Sequence, residues 1–95
     1  MEFAYKGKPL LPTKAALDEL SSLELDLCKA IEILEQGFAL RKRKKNIVEK
    51  AMRKGDKIIN IVVVDAGNYY KLIHAGEFSL SNKFRKIMRG HENGL

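Results

Sequence analysis

The run Arg41-Lys42-Arg43-Lys44-Lys45 sets five cations side by side, and Arg53, Lys54 and Lys71 follow it along the chain. Adjacent cations repel one another. Phosphates relieve that repulsion and release condensed counterions, so a polyanion is the partner such a run suits. Tyr69 stands two residues before Lys71, and an aromatic beside cations can stack on a base. These residues define a candidate nucleic-acid surface of Arg41, Arg43, Lys44, Lys45, Arg53, Lys54, Tyr69 and Lys71. The competing reading is an edge strand kept from aggregating by its lysines. His74 is the candidate catalytic residue, because histidine exchanges protons near neutral pH. The plainer role for a lone histidine at a strand end is a packed side chain with a hydrogen-bond partner. His91 lies in the tail His91-Glu92-Asn93-Gly94-Leu95, and two histidines so far apart without nearby carboxylates make no metal site. No phosphate loop or dinucleotide fingerprint is present, so neither a cofactor nor a metal is expected.

Charge is unevenly placed along the 95 residues. The net +6 divides into −3 over residues 1–37 and +9 over residues 38–95. Nine basic residues face only Glu49 and Asp56 between Arg41 and Lys57. A concentrated positive potential speeds encounter with polyanions. A chain of this length forms one small domain with one modest core. No apolar run approaches the ~20 residues that cross a bilayer, and no signal-peptide core opens the sequence. One cysteine, Cys28, excludes an intramolecular disulfide and a cysteine-rich zinc site. These features suit the cytoplasm and exclude a membrane role.

Hydropathy patterning supplies the elements that position these residues. Phe3 to Lys8 reads as a short edge strand or arm closed by Pro9 and Pro12. Thr13 N-caps a short helix through Leu20. Ser21-Ser22-Leu23-Glu24 fits a capping box for a second helix, with Leu23, Leu27, Ala30, Ile31 and Leu34 as its stripe and Gly37 as its stop. Cys28 sits beside that stripe as a small buried residue. Period-two patterning then gives strands over 38–44, 47–54, 57–65 and 69–75, with Gly55-Asp56 as a type II′ turn. Alternation puts Val48, Lys50, Met52, Ile59, Ile61, Val63, Tyr70, Leu72 and His74 on a face covered by the helices. The other face carries Ile47, Glu49, Ala51, Arg53, Ile58, Asn60, Val62, Val64, Tyr69, Lys71 and Ile73. Leu80, Phe84, Ile87 and Met88 form the stripe of a last helix over Ser81 to Arg89. The expected fold is α+β: two N-terminal helices on one face of a three- or four-stranded antiparallel sheet, then a C-terminal helix.

That element order, through Leu11 to Leu20, Leu25 to Gly37 and Lys57 to His74, resembles the RelE/BrnT-like superfamily of small ribonuclease toxins. The resemblance implies RNA binding through basic and aromatic residues and metal-independent cleavage. Ala15 stands where relatives often carry a histidine.

Two further functions fit the same residues. A basic sheet can bind an acidic protein partner, and a mixed sheet face can be buried against a second copy of the chain. The first expectation remains RNA, or another polyanion, as partner, with metal-independent ribonuclease activity as what the resemblance implies.

Overall fold

The computed structural model describes residues 3–40 and 43–79. Among these, strand dominates. Six strands form one sheet, β1 (Ala4–Tyr5), β2 (Lys8–Pro12), β3 (Phe38–Ala39), β4 (Ile47–Lys54), β5 (Lys57–Asp65) and β6 (Tyr70–Ser79), in the order β1-β2-β6-β5-β4-β3. Two helices, α1 (Lys14–Ser22) and α2 (Leu27–Gln36), connect β2 to β3. The sheet curls into a half-barrel. No helix of the described residues is long and apolar enough to cross a membrane.

This architecture corrects the expected one in three respects. The helices are not N-terminal, because a hairpin precedes them. Lys6 and Gly7 both have positive φ, 52° and 78°, as a two-residue type I′ turn requires, and they fold the expected single arm into β1 and β2. Secondly, the sheet has six strands and is mixed: β2 runs parallel to β6 through Leu10–Tyr70, Leu11–Lys71 and Pro12–Leu72. The two prolines lie inside β2 instead of closing a strand before it. Pro9 precedes the first residue paired with β6 and Pro12 is the last, so neither interrupts that ladder. Thirdly, no helix follows the sheet within the described residues; the helix expected over Ser81 to Arg89 lies outside them. Strand β6 instead continues to Ser79, beyond the expected end at Ala75.

The helices begin and end for local reasons. Thr13 caps α1 as expected, its hydroxyl accepting the Ala16 N–H at 3.0 Å. Helix α1 ends in a Schellman arrangement, with the Leu25 N–H donated to Leu20 O and the Glu24 N–H to Ser21 O. Glu24 takes the left-handed conformation there, φ 59°. That break displaces the expected capping box, and α2 is capped by Asp26, which accepts the Lys29 N–H at 2.8 Å. Gly37 ends α2 in extended conformation, φ −75°. Its glycine is required by proximity: a Cβ would collide with the carbonyl oxygens of Ala51 and Ile33. Cys28 is exposed, contrary to the expected burial.

Apolar residues of α1, α2 and one sheet face make the main core. Leu20, Ile33, Leu34, Ile59, Ile61, Val63 and Leu72 are almost entirely removed from water within it. Tyr5 packs edge-on against Tyr70 with ring centres 5.0 Å apart, and burial pushes the Tyr5 hydroxyl above its usual 10.0. The second face holds a smaller cluster of Leu40, Ala51 and Ile58 with Phe38 and Phe78. It is therefore partly buried, where an open mixed face was expected.

Leu72 and Ala75 both join the main core although three positions separate them, an odd offset that plain alternation forbids. A β-bulge resolves this. Val63 pairs with Leu72 and Val62 with His74, so Ile73 is an extra residue in β6. Every side chain of β6 beyond it changes face.

At the hairpin end, Lys8 bonds the Asp65 carboxylate at 3.1 Å. The Gly67 N–H and then the Lys8 ammonium hold the Asp65 carboxyl below its usual 3.8. A depressed folded-state value means stability present above pH ~4 and lost as pH falls through the lower value. A carbon-detected titration should give a midpoint below 3.8, and Lys8→Met should raise it without restoring the full value, since the Gly67 N–H remains. Gly37→Ala should cost about 2–3 kcal/mol in urea denaturation, the scale of an overpacked site with no side chain able to yield.

Candidate functional site

Strand pairing arranges the second face in rows. From one end to the other these are Ile47–Val64–Lys71, Glu49–Val62–His74, Ala51–Asn60–Gly76 and Arg53–Ile58–Phe78. The bulge puts His74 in the second row, on the face opposite to that expected from alternation.

His74 is held from outside the sheet. Beyond Leu72 the edge of β6 is no longer paired with β2, and α1 runs beside it. Glu19 of α1 reaches this edge: Oε1 accepts the Ala75 N–H at 3.1 Å, and Oε2 lies 3.1 Å from His74 Nδ1. The carboxylate engages Nδ1 and orients the ring, which leaves Nε2 as the nitrogen available to a ligand. The His74 side chain is 46% exposed. A carboxylate-oriented imidazole of this kind can exchange a hydrogen bond or a proton at Nε2.

A buried polar chain lies beside it. The Glu49 side chain is fully buried; Arg43 Nε donates to its Oε1 at 3.0 Å and Asn60 Nδ2 to its Oε2 at 2.8 Å. Such a carboxylate is tolerated only because charged and amide donors replace its water. The Glu49 bond fixes the Asn60 amide, so its Oδ1 points the other way, across Gly76 toward His74. A Cβ built on Gly76 would lie 2.7 Å from Asn60 Oδ1 and 2.9 Å from His74 Nε2. Gly76 therefore leaves bare the ground over which these two atoms converge.

The basic candidates do not form one patch. Lys44 and Lys45 are exposed in the β3–β4 link, and the Ile47 N–H bonds back to Lys44 O. Lys71, also exposed, occupies the row of Ile47. These three share one end of the face. Arg43 is near them in sequence but is engaged with Glu49. Arg53 and Lys54 stand at the far end of β4, roughly 20 Å from Ile47 at the usual rise per residue. Arg53 Nε bonds Gly55 O and braces the hairpin turn. Gly55 has φ 65° while Asp56 is not positive, as the expected type II′ turn requires. Tyr69 is half-buried in the Ala66–Tyr69 turn, closed by the Ala66 N–H to Tyr69 O. Arg41 lies outside the described residues.

Glu19, Glu49, Asn60 and Gly76 were not among the residues singled out by sequence. The signal available was Glu49 and Asn60 on one face of adjacent strands of a largely apolar sheet. Comparison with known proteins returns no matching family, no matching curated protein and no matching solved structure. None of these comparisons bears on the resemblance to ribonuclease toxins.

Removing the Asn60 amide exposes its cost to Glu49. Asn60→Ala should lose about 1.5–3 kcal/mol of stability, the range for removing one hydrogen bond to a charged group. Asn60→Asp should lose more at neutral pH, because it sets a second carboxylate against the first. Urea midpoints of the two variants at neutral and acid pH measure the difference.

Proposed function

We propose that this domain binds single-stranded RNA, with the cationic corner of Lys44, Lys45 and Lys71 gripping phosphates and the strand running along the second sheet face. The observation that supports it is the return of Lys71, through β6, to the row beside the Lys44–Lys45 link. None of these three exposed lysines forms an ion pair with a described residue. Four other described cations are engaged, Lys8 with Asp65, Lys29 with Glu32, Arg43 with Glu49 and Lys57 with Glu77, while Lys14, Lys50 and Lys54 lie outside this corner. Uncommitted cations held together are the ones free to exchange counterions for phosphate. Tyr69, in the turn two residues before Lys71, is the aromatic proposed to stack its ring on a base. Arg53 and Lys54 extend the positive potential at the other end of the face. With its single cysteine, such a protein fits a reducing cytoplasm.

If about four phosphates are neutralised, log K should fall against log salt with a slope near −3, at ~0.7 per phosphate for single strands. Reversing Lys44, Lys45 and Lys71 to Glu should flatten the slope and weaken every sequence alike, since phosphate contacts carry no sequence information. Arg43 is left intact in that variant because its loss would remove a charged donor from buried Glu49. Fluorescence anisotropy with labelled oligonucleotides measures both. Absence of binding at low salt overturns the proposal and favours an acidic protein at the same lysines.

A further inference from the structure

We infer that His74 Nε2 and Asn60 Oδ1, converging over the bare Cα of Gly76, form a notch that accepts the 2′-hydroxyl of a bound ribose and so selects RNA over DNA. The inference rests on the nucleic-acid reading above and adds a residue-level basis for sugar choice.

Three features carry it. The Glu49 carboxylate fixes the Asn60 amide with Nδ2 turned away, so Oδ1 is a fixed acceptor, and the Glu19 carboxylate orients the His74 ring through Nδ1 so that Nε2 is the nitrogen left for a ligand. A fixed acceptor beside an imidazole nitrogen suits a ligand group that can both donate and accept. Ribose offers such a group in its 2′-hydroxyl and deoxyribose does not. The notch also has a preorganised support. Glu19 is tied to the Ala75 backbone as well as to His74, and Glu49 is held by Arg43 as well as by Asn60. Neither side chain needs to be reoriented when a ligand arrives. Finally, the site is placed within the proposed path of the strand. His74 stands one row from Lys71 on the same face, and two residues of β-strand span about 6–7 Å, close to the spacing of successive phosphates in an extended strand.

Exocyclic amines of adenine, cytosine and guanine are donors too, so the test uses short uridine oligomers, whose base has no such amine. Ribose, deoxyribose and 2′-fluoro versions are compared by anisotropy at one salt concentration. The fluoro sugar keeps the size and pucker of ribose but donates nothing. Ribose should bind about fivefold tighter than either, the worth of one neutral hydrogen bond. Gly76→Ala, which fills the notch without removing either polar atom, and His74→Ala should both bring the ratio of ribose to deoxyribose affinity to about one, while the salt slope, set by the lysines, stays at roughly −3. Circular dichroism confirms that each variant is folded, and the 2′-fluoro comparison on the unaltered protein stands without either. Equal binding of all three oligomers by the unaltered protein overturns the notch and leaves phosphate binding in place. A ribose preference that survives in both folded variants also overturns it. Failure of every oligomer to bind at low salt overturns the RNA reading itself, and the notch with it.

Discussion

Much of this structure depends on how the outer edge of β6 is satisfied. The strand is ten residues long, yet β2 pairs with only its first three. Backbone donors on the remainder need partners, because an unpaired buried N–H costs as much as a lost hydrogen bond. Glu19 supplies one for Ala75 and so ties α1 to the sheet where β2 stops. The same carboxylate orients His74. One side chain thereby joins the helical layer to the strand edge and fixes the direction of the imidazole.

The bulge at Ile73 makes that arrangement possible. Were Ile73 paired in regular alternation, Leu72 and Ala75 could not both enter the core, and His74 would point among the helices. Absorbing it in a bulge keeps the apolar residues buried on either side and leaves the histidine outward in the row of Glu49, next to that of Asn60. Gly76, immediately beyond, gives the two polar side chains room. Local irregularity in the backbone thus assembles a polar group on a sheet whose other face is apolar.

How far the sequence revealed this can be judged from particular residues. Thr13 as a cap, the Gly55-Asp56 turn, strands β4 and β5 and the helix-facing set Val48, Met52, Ile59, Ile61, Val63, Tyr70 and Leu72 all follow from local chemistry and alternation. The parallel β2–β6 pair does not, because it joins residues about sixty positions apart and leaves no local signature. The type I′ turn at Lys6-Gly7 was hidden by a lysine in a conformation that glycine or asparagine more often adopts. The Schellman ending at Glu24 was hidden in the same way, by a non-glycine residue in the left-handed position. His74 was recognised as chemically notable, but its face was misassigned because period-two counting cannot register a bulge. Its partner Glu19 was invisible for a different reason: a single carboxylate on a helix has no sequence mark that says which strand it will meet.

The two outermost strands are each two residues long, Ala4–Tyr5 on one side and Phe38–Ala39 on the other. A neighbouring chain adding to either of these two strands would find a two-residue ladder to extend. The long, strongly apolar strand β5, with Ile58 through Val63 all buried, is the segment most able to seed such growth. It lies between β4 and β6, paired with β4 over Lys57–Val64 and with β6 over its full length. The most aggregation-prone stretch among the described residues is thus held at the centre of the sheet, where no incoming strand can reach its backbone groups.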